Sequence, residues 1–239
     1  RGVGKAKRGI GPRYLTRVDR VGVRAGDLVS PKLADKIRAL CRFYNPMLKD
    51  AGAAESSFEA NLSVAETART WMAEYLSFET TPFYDTARNA RCVLEGAQGI
   101  LLDVDHGGFP YVTSSTTLAG GAAAGAPFPL SKIGTVIGIA KAYLTRVGQG
   151  ELATELNDAT GERIRKNGAE FGATTGRPRR VGWLNLDELR LAVRLTDCSA
   201  IVLSKADVLA GEKEVKVFVN GKLESMTGWD TMKNGDVLN

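Results

Sequence analysis

The sequence predicts an α/β fold in which a mainly helical region precedes an alternation of strands and helices. Residues 30–90 carry apolar side chains at the three- and four-residue spacing of helices. From residue 92 onward, short apolar segments such as "EVKVFV" (214–219) alternate with further helical patterns. Strands that are separated by helices are typical of an α/β sheet. The 239 residues suffice for one large domain or two modest ones.

The helical region is predicted to contain three helices after a loop over residues 1–29. The first begins at Ser30-Pro31, where a hydroxyl cap precedes a proline at the first helical position. The second covers 57–78, and the third runs from Thr81-Pro82 to about Ala90. The second helix is expected to bury one apolar stripe, made of Phe58, Leu62, Ala65, Ala68, Trp71, Met72, Tyr75 and Leu76.

The α/β region is predicted to contain strands at 92–96, 137–147, 200–208 and 214–219. Helices are predicted at 130–136, 160–168 and 186–196, the last capped by Asn185. The small, proline-interrupted segment 118–130 is predicted to be a loop. Polar, glycine-containing segments lie at the predicted strand ends, where α/β proteins bind ligands.

Composition favours an anionic partner and a reducing compartment. Lys and Arg outnumber Asp and Glu by 32 to 27, for a net charge of +5. Residues 1–24 alone hold eight Lys or Arg against one Asp, so the rest of the chain is slightly acidic. The three cysteines lie far apart without metal-site spacing, which fits an intracellular protein. The sequence has no signal peptide pattern and no apolar run long enough to span a bilayer.

Segment 95–115, "EGAQGILLDVDHGGFPYVTSS", is a candidate nucleotide loop. Gly96 and Gly99 allow a tight turn around Gln98, whose amide offers donors and an acceptor to a base edge or a phosphate. A polar turn with capping hydroxyls explains the same residues equally well. His106, the only histidine, is a candidate general base, but a turn residue that hydrogen-bonds its neighbours is the favoured interpretation.

Two further loops carry chemistry for anions and for guanine. "GATTGRPRR" (172–180) combines glycines, whose N–H groups can converge on an anion, with arginine forks that bind carboxylates or phosphates. "SKADV" (204–208) follows a predicted strand and has the Lys-x-Asp form of guanine-reading loops, in which the carboxylate accepts from two guanine N–H groups. A solvated basic loop and a surface turn with a chance ion pair are the structural alternatives.

These segments together resemble the adenylosuccinate synthetase family. The matching motifs occur in the family's order over residues 8–219: "RGIGPRYLTRVDRVGVRAGDL", the 95–115 segment, "KAYLTRVG", "GATTGRPRRVGW" and "SKADVL". The resemblance implies an α/β fold with part of a central sheet like that of P-loop NTPases, a mainly helical subdomain and a smaller α/β subdomain. The corresponding division is residues 1–90, 91–147 and 148–239.

The resemblance also implies a cytoplasmic ligase that joins L-aspartate to inosine monophosphate (IMP) with GTP and Mg²⁺. In the family, GTP phosphorylates the purine 6-oxygen and the aspartate amine then displaces the phosphate. The family is homodimeric, and its partners include neither nucleic acid nor membrane. The site residues carried over are Gln98, Thr113 and Val147 for the monophosphate, Arg20 for the partner subunit's monophosphate, Thr175 and Arg177 for aspartate, and Arg179, Lys205 and Asp207 for GTP.

The chain departs from the family pattern in three places. The family's glycine-rich phosphate loop, catalytic aspartate, catalytic histidine and magnesium ligands are expected upstream of Arg1, so this chain alone is expected to be an inactive internal piece. The family segment that completes the guanine pocket is expected beyond Asn239. Lys5 and Lys7 stand where the family has Gly-Thr-Thr-Gly, and "GELATE" (150–155) lacks two family prolines.

Two alternative functions follow from these departures and from the basic first residues. The altered segments are compatible with a virus-type 2-aminoadenylosuccinate synthetase that acts on dGMP. The charge of residues 1–24 is compatible with a non-catalytic module that binds nucleotides or nucleic acid, although no stacking surface or nucleic-acid motif accompanies it.

Overall fold

The computed structural model describes residues 9–79, 81–126, 128–172 and 176–226. They fall into two compact units, a helical unit over Gly9–Cys92 and an α/β unit from Val93 onward. Helices and strands are both present, so the predicted α/β class is confirmed.

The helical unit contains four helices, α1 (Ile10–Val18), α2 (Leu33–Asp50), α3 (Phe58–Met72) and α4 (Thr81–Asn89). The three predicted helices are present, but the predicted start of the first at Ser30-Pro31 is wrong, because α2 begins at Leu33 and its N-cap residue, Lys32, makes no side-chain cap. The hydroxyl of Ser57 caps α3 by accepting a 3.1 Å hydrogen bond from the Ala60 N–H. The loop predicted for residues 1–29 is wrong for α1. Pro12 lies in the first turn of that helix, where a missing N–H costs no intrahelical hydrogen bond.

The buried stripe predicted for the second helix is only partly correct. Phe58, Leu62, Ala65, Ala68 and Leu76 are half-buried, but Trp71, Met72 and Tyr75 are 75%, 41% and 79% exposed. The α-helix ends at Met72, and Ala73–Tyr75 form a tighter 3₁₀ turn. Trp71 still belongs to α3 and, at 3.6 residues per turn, faces away from the stripe of Phe58 and Leu62. Only Tyr75 lies in the 3₁₀ turn, where the tighter winding moves its side chain off that stripe.

Within its described residues, the α/β unit contains three helices and six strands. The helices are α5 (Ala119–Gly125), α6 (Ala159–Asn167) and α7 (Leu186–Thr196). The strands are β1 (Ile137–Lys141), β2 (Tyr143–Arg146), β3 (Arg180–Asn185), β4 (Ala200–Ser204), β5 (Val215–Val219) and β6 (Lys222–Met226). Parallel strands β1 and β4 form one sheet, and the other sheet has the order β2-β3-β5-β6, in which only β3 and β5 are parallel.

The core of this unit lies between the larger sheet, α6 and the turn after β4. Tyr143, Ile164, Val181 and Leu209 have no exposed surface and pack together with Trp183, Val208 and Val215. Ala142 separates β1 from β2 and donates its N–H to the Ser204 carbonyl. The single strand predicted over 137–147 is therefore two strands, one in each sheet.

Four other predictions for this unit need correction. Residues 92–96 form no strand, because they pair with none of the described strands and Val93 is 93% exposed. The predicted loop 118–130 contains α5, in which alanines supply the helix propensity that the glycines lack. The helix predicted at 130–136 is only a 3₁₀ turn, Leu130–Lys132. Strand β4 ends at Ser204, and residues 206–209 of the predicted strand form another 3₁₀ turn.

Candidate functional site

The candidate nucleotide loop, residues 95–115, is organised around the buried carboxylate of Asp103. Its two oxygens accept hydrogen bonds from the backbone N–H groups of Asp105 (3.0 Å), His106 (3.1 Å) and Thr117 (2.6 Å). Burial raises the pKa of the Asp103 carboxyl, but these hydrogen bonds outweigh burial and hold that pKa below its ordinary value. Asp103 is therefore an ionised anchor for the loop.

The predicted nucleotide residues of this loop lie on either side of the anchor. Gln98 is exposed and has a left-handed backbone with φ of 63°. Thr113 is half-buried, and its N–H donates to the Leu102 carbonyl at 2.8 Å. The His106 side chain is exposed and hydrogen-bonds to none of the described residues. This exposure agrees with a turn role for His106 rather than a base held by a partner.

Val147, the third predicted nucleotide residue, lies beside the same loop. It directly follows β2 and is half exposed. The preceding residue, Arg146, donates to the Tyr111 carbonyl at 3.1 Å and to the Gln149 carbonyl at 3.1 Å. Because Tyr111 is two residues before Thr113, the Arg146 guanidinium ties the end of β2 to the nucleotide loop.

Arg20, the remaining monophosphate residue, belongs to the helical unit. It follows α1 with a left-handed φ of 64°, and its side chain is exposed. Its N–H donates to the Arg17 carbonyl, so the turn holds its backbone while the guanidinium makes no hydrogen bond to a described residue.

The three arginines of the "GRPRR" segment have three different environments. Arg177 is exposed and makes no side-chain hydrogen bond to any described residue. Arg179 donates to Glu170 Oε2 at 2.7 Å, and Arg180 binds both carboxylate oxygens of Glu155. Thr175, the other predicted aspartate residue, lies outside the described residues. The segment therefore combines one solvent-facing arginine with two that hold the fold.

Arg180 braces the loop that follows β2. Besides Glu155, it donates to the carbonyls of Gly150 at 2.7 Å and Gly148 at 3.2 Å. The hydrogen bond from Arg180 is the largest cause that lowers the pKa of the Glu155 carboxyl. The segment that departs from the family pattern at 150–155 is thus fixed to the first residue of β3.

The predicted guanine residues follow β4. Lys205 has a left-handed φ of 59°, and its Nζ donates to the Gly168 carbonyl at 2.6 Å. Asp207 lies in the 3₁₀ turn Ala206–Leu209, and its carboxylate is exposed with no hydrogen bond to a described residue. The Asp207 carboxylate therefore keeps its acceptors available to a ligand.

Glu170 joins the predicted aspartate and guanine loops, although sequence reasoning assigned it no role. Its carboxylate accepts hydrogen bonds from Lys141 Nζ (2.8 Å), Tyr143 Oη (2.7 Å) and Arg179 (2.7 Å), and Lys205 Nζ is 3.9 Å away. Burial raises the pKa of Glu170, but the three hydrogen bonds hold it below its ordinary value. A single acidic residue two positions before the basic "GATTGRPRR" segment is the sequence signal that could have indicated it.

No three His, Cys, Asp or Glu side chains among the described residues are grouped closely enough to hold a metal ion. None of the helices within the described ranges is both long and apolar enough to cross a membrane.

Comparison with known proteins identifies relatives that cover nearly all of this chain. The family model described as adenylosuccinate synthetase matches residues 1–234. The adenylosuccinate synthetase of Thermodesulfovibrio yellowstonii is 46% identical over 226 residues, which cover 92% of this chain and 52% of the relative. That of Sorangium cellulosum is 46% identical over 220 residues, covering 91% and 51%. The chain spans about half the length of these curated relatives.

A solved structure supports the same relationship. The fully ligated adenylosuccinate synthetase from Plasmodium falciparum is similar with a TM-score of 0.81 and 35% sequence identity. The similarity covers 90% of this chain and 50% of that chain.

Proposed function

This chain belongs to the adenylosuccinate synthetase family, and from that premise we propose that the protein joins L-aspartate to IMP at the expense of GTP. The purine 6-oxygen takes the terminal phosphoryl group of GTP, and GDP leaves. The aspartate amine then attacks carbon 6, and inorganic phosphate leaves. The observation that carries the proposal is the family match over residues 1–234, within which the predicted aspartate and guanine loops meet at Glu170.

The solvent-facing groups of the α/β unit are assigned to the substrates. Arg177, with Thr175, binds the carboxylates of aspartate, because its guanidinium is exposed and engages no described residue. Gln98, Thr113 and Val147 contact IMP. Arg179 and Lys205 lie toward GTP, and Asp207 accepts hydrogen bonds from the guanine N–H groups.

The assembly is proposed as a homodimer in the cytoplasm. Arg20 then reaches the IMP phosphate of the partner subunit, a role supported by its exposed guanidinium. Three free cysteines fit a reducing compartment. The parallel pair β1 and β4 is proposed as part of a central sheet like that of P-loop NTPases. The three-part division at residues 90 and 147 stays a prediction.

A hybrid enzyme tests the function directly. This chain replaces the matching segment of the Thermodesulfovibrio yellowstonii synthetase, and adenylosuccinate formation is measured with IMP, L-aspartate and GTP. We expect turnover by the hybrid and none by the 239-residue chain alone. Replacing IMP by dGMP tests the alternative substrate, and a preference for dGMP would transfer the proposal to that reaction. A folded hybrid that binds neither IMP nor GTP by calorimetry would refute the proposal.

A further inference from the structure

Glu170 connects the ends of four strands through one buried carboxylate. Lys141 ends β1, Tyr143 begins β2, Arg179 directly precedes β3, and Lys205 directly follows β4. The Glu170 side chain is only 1% exposed, whereas the side chains of Lys141, Arg179 and Lys205 keep 29%, 29% and 41% of their surface. The carboxylate is therefore the buried centre of a cationic cluster that still faces solvent.

The surroundings of Glu170 leave little freedom for a different arrangement. Tyr143 has no exposed surface, and its Oη donates to the same Glu170 oxygen as Lys141. A Cβ placed on Gly168 would lie 2.2 Å from that Tyr143 Oη, so only glycine fits there. The Gly168 carbonyl in turn accepts the hydrogen bond from Lys205. Tyr143, Gly168 and Lys205 thus constrain one another around the Glu170 carboxylate.

The cluster carries more positive charge than Glu170 can neutralise. Lys141, Arg179 and Lys205 bring three cations within 4 Å of one carboxylate. Arg179 bonds to Glu170 through one nitrogen, and its other N–H groups engage no described residue. The contacts with Glu170 fix the orientation of the cationic side chains. The remaining positive charge and the free N–H groups of Arg179 are available to bind an anion.

We infer that Glu170 is a positioning residue that holds Arg179 and Lys205 in the orientation that binds the nucleoside triphosphate. The inference rests on the proposed function for the identity of the ligand. Its physical basis is preorganisation: two flexible cationic side chains that are already fixed lose less conformational entropy when the triphosphate binds. Glu170 hydrogen-bonds to Arg179 and attracts Lys205, whose Nζ also donates to the Gly168 carbonyl, so loss of the Glu170 charge frees Arg179 and loosens Lys205.

Hydrogen exchange of the 239-residue chain tests the positioning without any nucleotide. Glu170→Gln should raise amide exchange in residues 176–180 and 204–209 and leave α7 as in the wild type. The matched control is Glu212→Gln, which removes another largely buried carboxylate, one bound by Arg163 through two nitrogens. The control should leave both loops unchanged. If Glu170→Gln raises exchange uniformly through the unit, the role is structural and the inference fails.

A milder variant covers the case in which Glu170→Gln does not fold. Tyr143→Phe removes one hydrogen bond from Glu170 and leaves the charges in place. It should raise exchange in the same two loops by a smaller amount. Unchanged exchange in both loops in every folded variant would overturn the inference.

Kinetics of the hybrid enzyme then test the ligand. Glu170→Gln should raise KM for GTP by roughly 10- to 100-fold, as expected for loss of a charged hydrogen bond, with KM for IMP unchanged. Glu212→Gln should change neither constant. An equal rise of KM for IMP and GTP would contradict the inference, whereas absence of adenylosuccinate formation by the unmutated hybrid would count only against the proposed function.

Discussion

The Asp103 carboxylate accepts a 2.6 Å hydrogen bond from the N–H of Thr117, fourteen residues later in the chain. This contact closes the loop that carries Thr113. The hydroxyl of Thr117 also donates to the Gly99 carbonyl at 3.1 Å, beside Gln98. The two predicted IMP residues of this loop are therefore fixed by a pair of residues that need not touch the ligand.

Asp103→Asn should destabilise the chain by about 1–3 kcal/mol. The amide that replaces one carboxylate oxygen donates a hydrogen bond, so a backbone N–H in a buried site loses its acceptor. Urea denaturation measures the free energy of unfolding. Asp105→Asn is the matched control, because the Asp105 side chain is exposed and accepts no hydrogen bond from a described residue. Equal effects of the two substitutions would show that the Asp103 carboxylate does not anchor the loop.

The difference in stability between the wild type and Asp103→Asn should depend on pH. The pKa of Asp103 is lower in the folded than in the unfolded chain, so its contribution is complete above the unfolded pKa and is lost as pH falls through the folded pKa. We expect a constant difference from about pH 5 to 7 and a shrinking one below about pH 4. Urea denaturation of both proteins across this range provides the measurement. A difference that grows on acidification would contradict the assigned direction.

Arg177→Leu should raise KM for aspartate in the hybrid enzyme strongly. A substrate carboxylate that loses a charged partner costs roughly 2–5 kcal/mol of binding. The control is Arg194→Leu, which removes an exposed arginine of α7 outside every predicted site loop. Steady-state kinetics with varied aspartate should show the rise for Arg177→Leu alone. An unchanged KM would remove Arg177 from the proposed aspartate site.

Arg180→Lys should lower the free energy of unfolding without raising KM for aspartate, unlike Arg177→Leu. A lysine ammonium cannot bind both oxygens of Glu155 and also reach the Gly148 and Gly150 carbonyls. The loss should be about 1–2 kcal/mol, since the pair is partly exposed. Arg177→Lys in the same segment should stay within about 0.5 kcal/mol of the wild type. Thermal unfolding of both variants decides whether the two arginines differ as the structure indicates.

Local signals explain which parts of the fold could be predicted from the sequence. Helix α7 and its cap could be predicted because helix capping is local in sequence. The Asn185 side chain accepts hydrogen bonds from the N–H groups of Asp187 and Glu188, only two and three residues away. Strands β3 and β6 were missed, because a strand is defined by its partners and β3 lies between β2 and β5. Segment 92–96 shows the opposite error, a predicted strand that does not form. Its composition is typical of a strand, but it pairs with none of the described residues.

The candidate site also contains residues that could be predicted from short stretches of sequence and residues that could not. The loops with Gln98, Arg177 and Lys205 were predicted from their residue types within short windows. The carboxylates Glu155 and Glu170 were not predicted, since partners of both are distant in sequence. Lys141 lies 29 residues from Glu170, and Glu155 lies 25 residues from Arg180. Only the fold brings these charges together.

Ile139→Lys should reduce self-association of the isolated chain. Ile139 of β1 and Val202 of β4 are paired across the small parallel sheet and are 79% and 53% exposed, although parallel sheets are ordinarily covered on both faces. A lysine on such a face hinders strand-to-strand and face-to-face association. Val64→Lys makes the same change of charge at a 70% exposed position of α3. Light scattering at increasing protein concentration should show less association for Ile139→Lys than for Val64→Lys. Equal scattering by the two variants would show that net charge, rather than the exposed sheet, controls association.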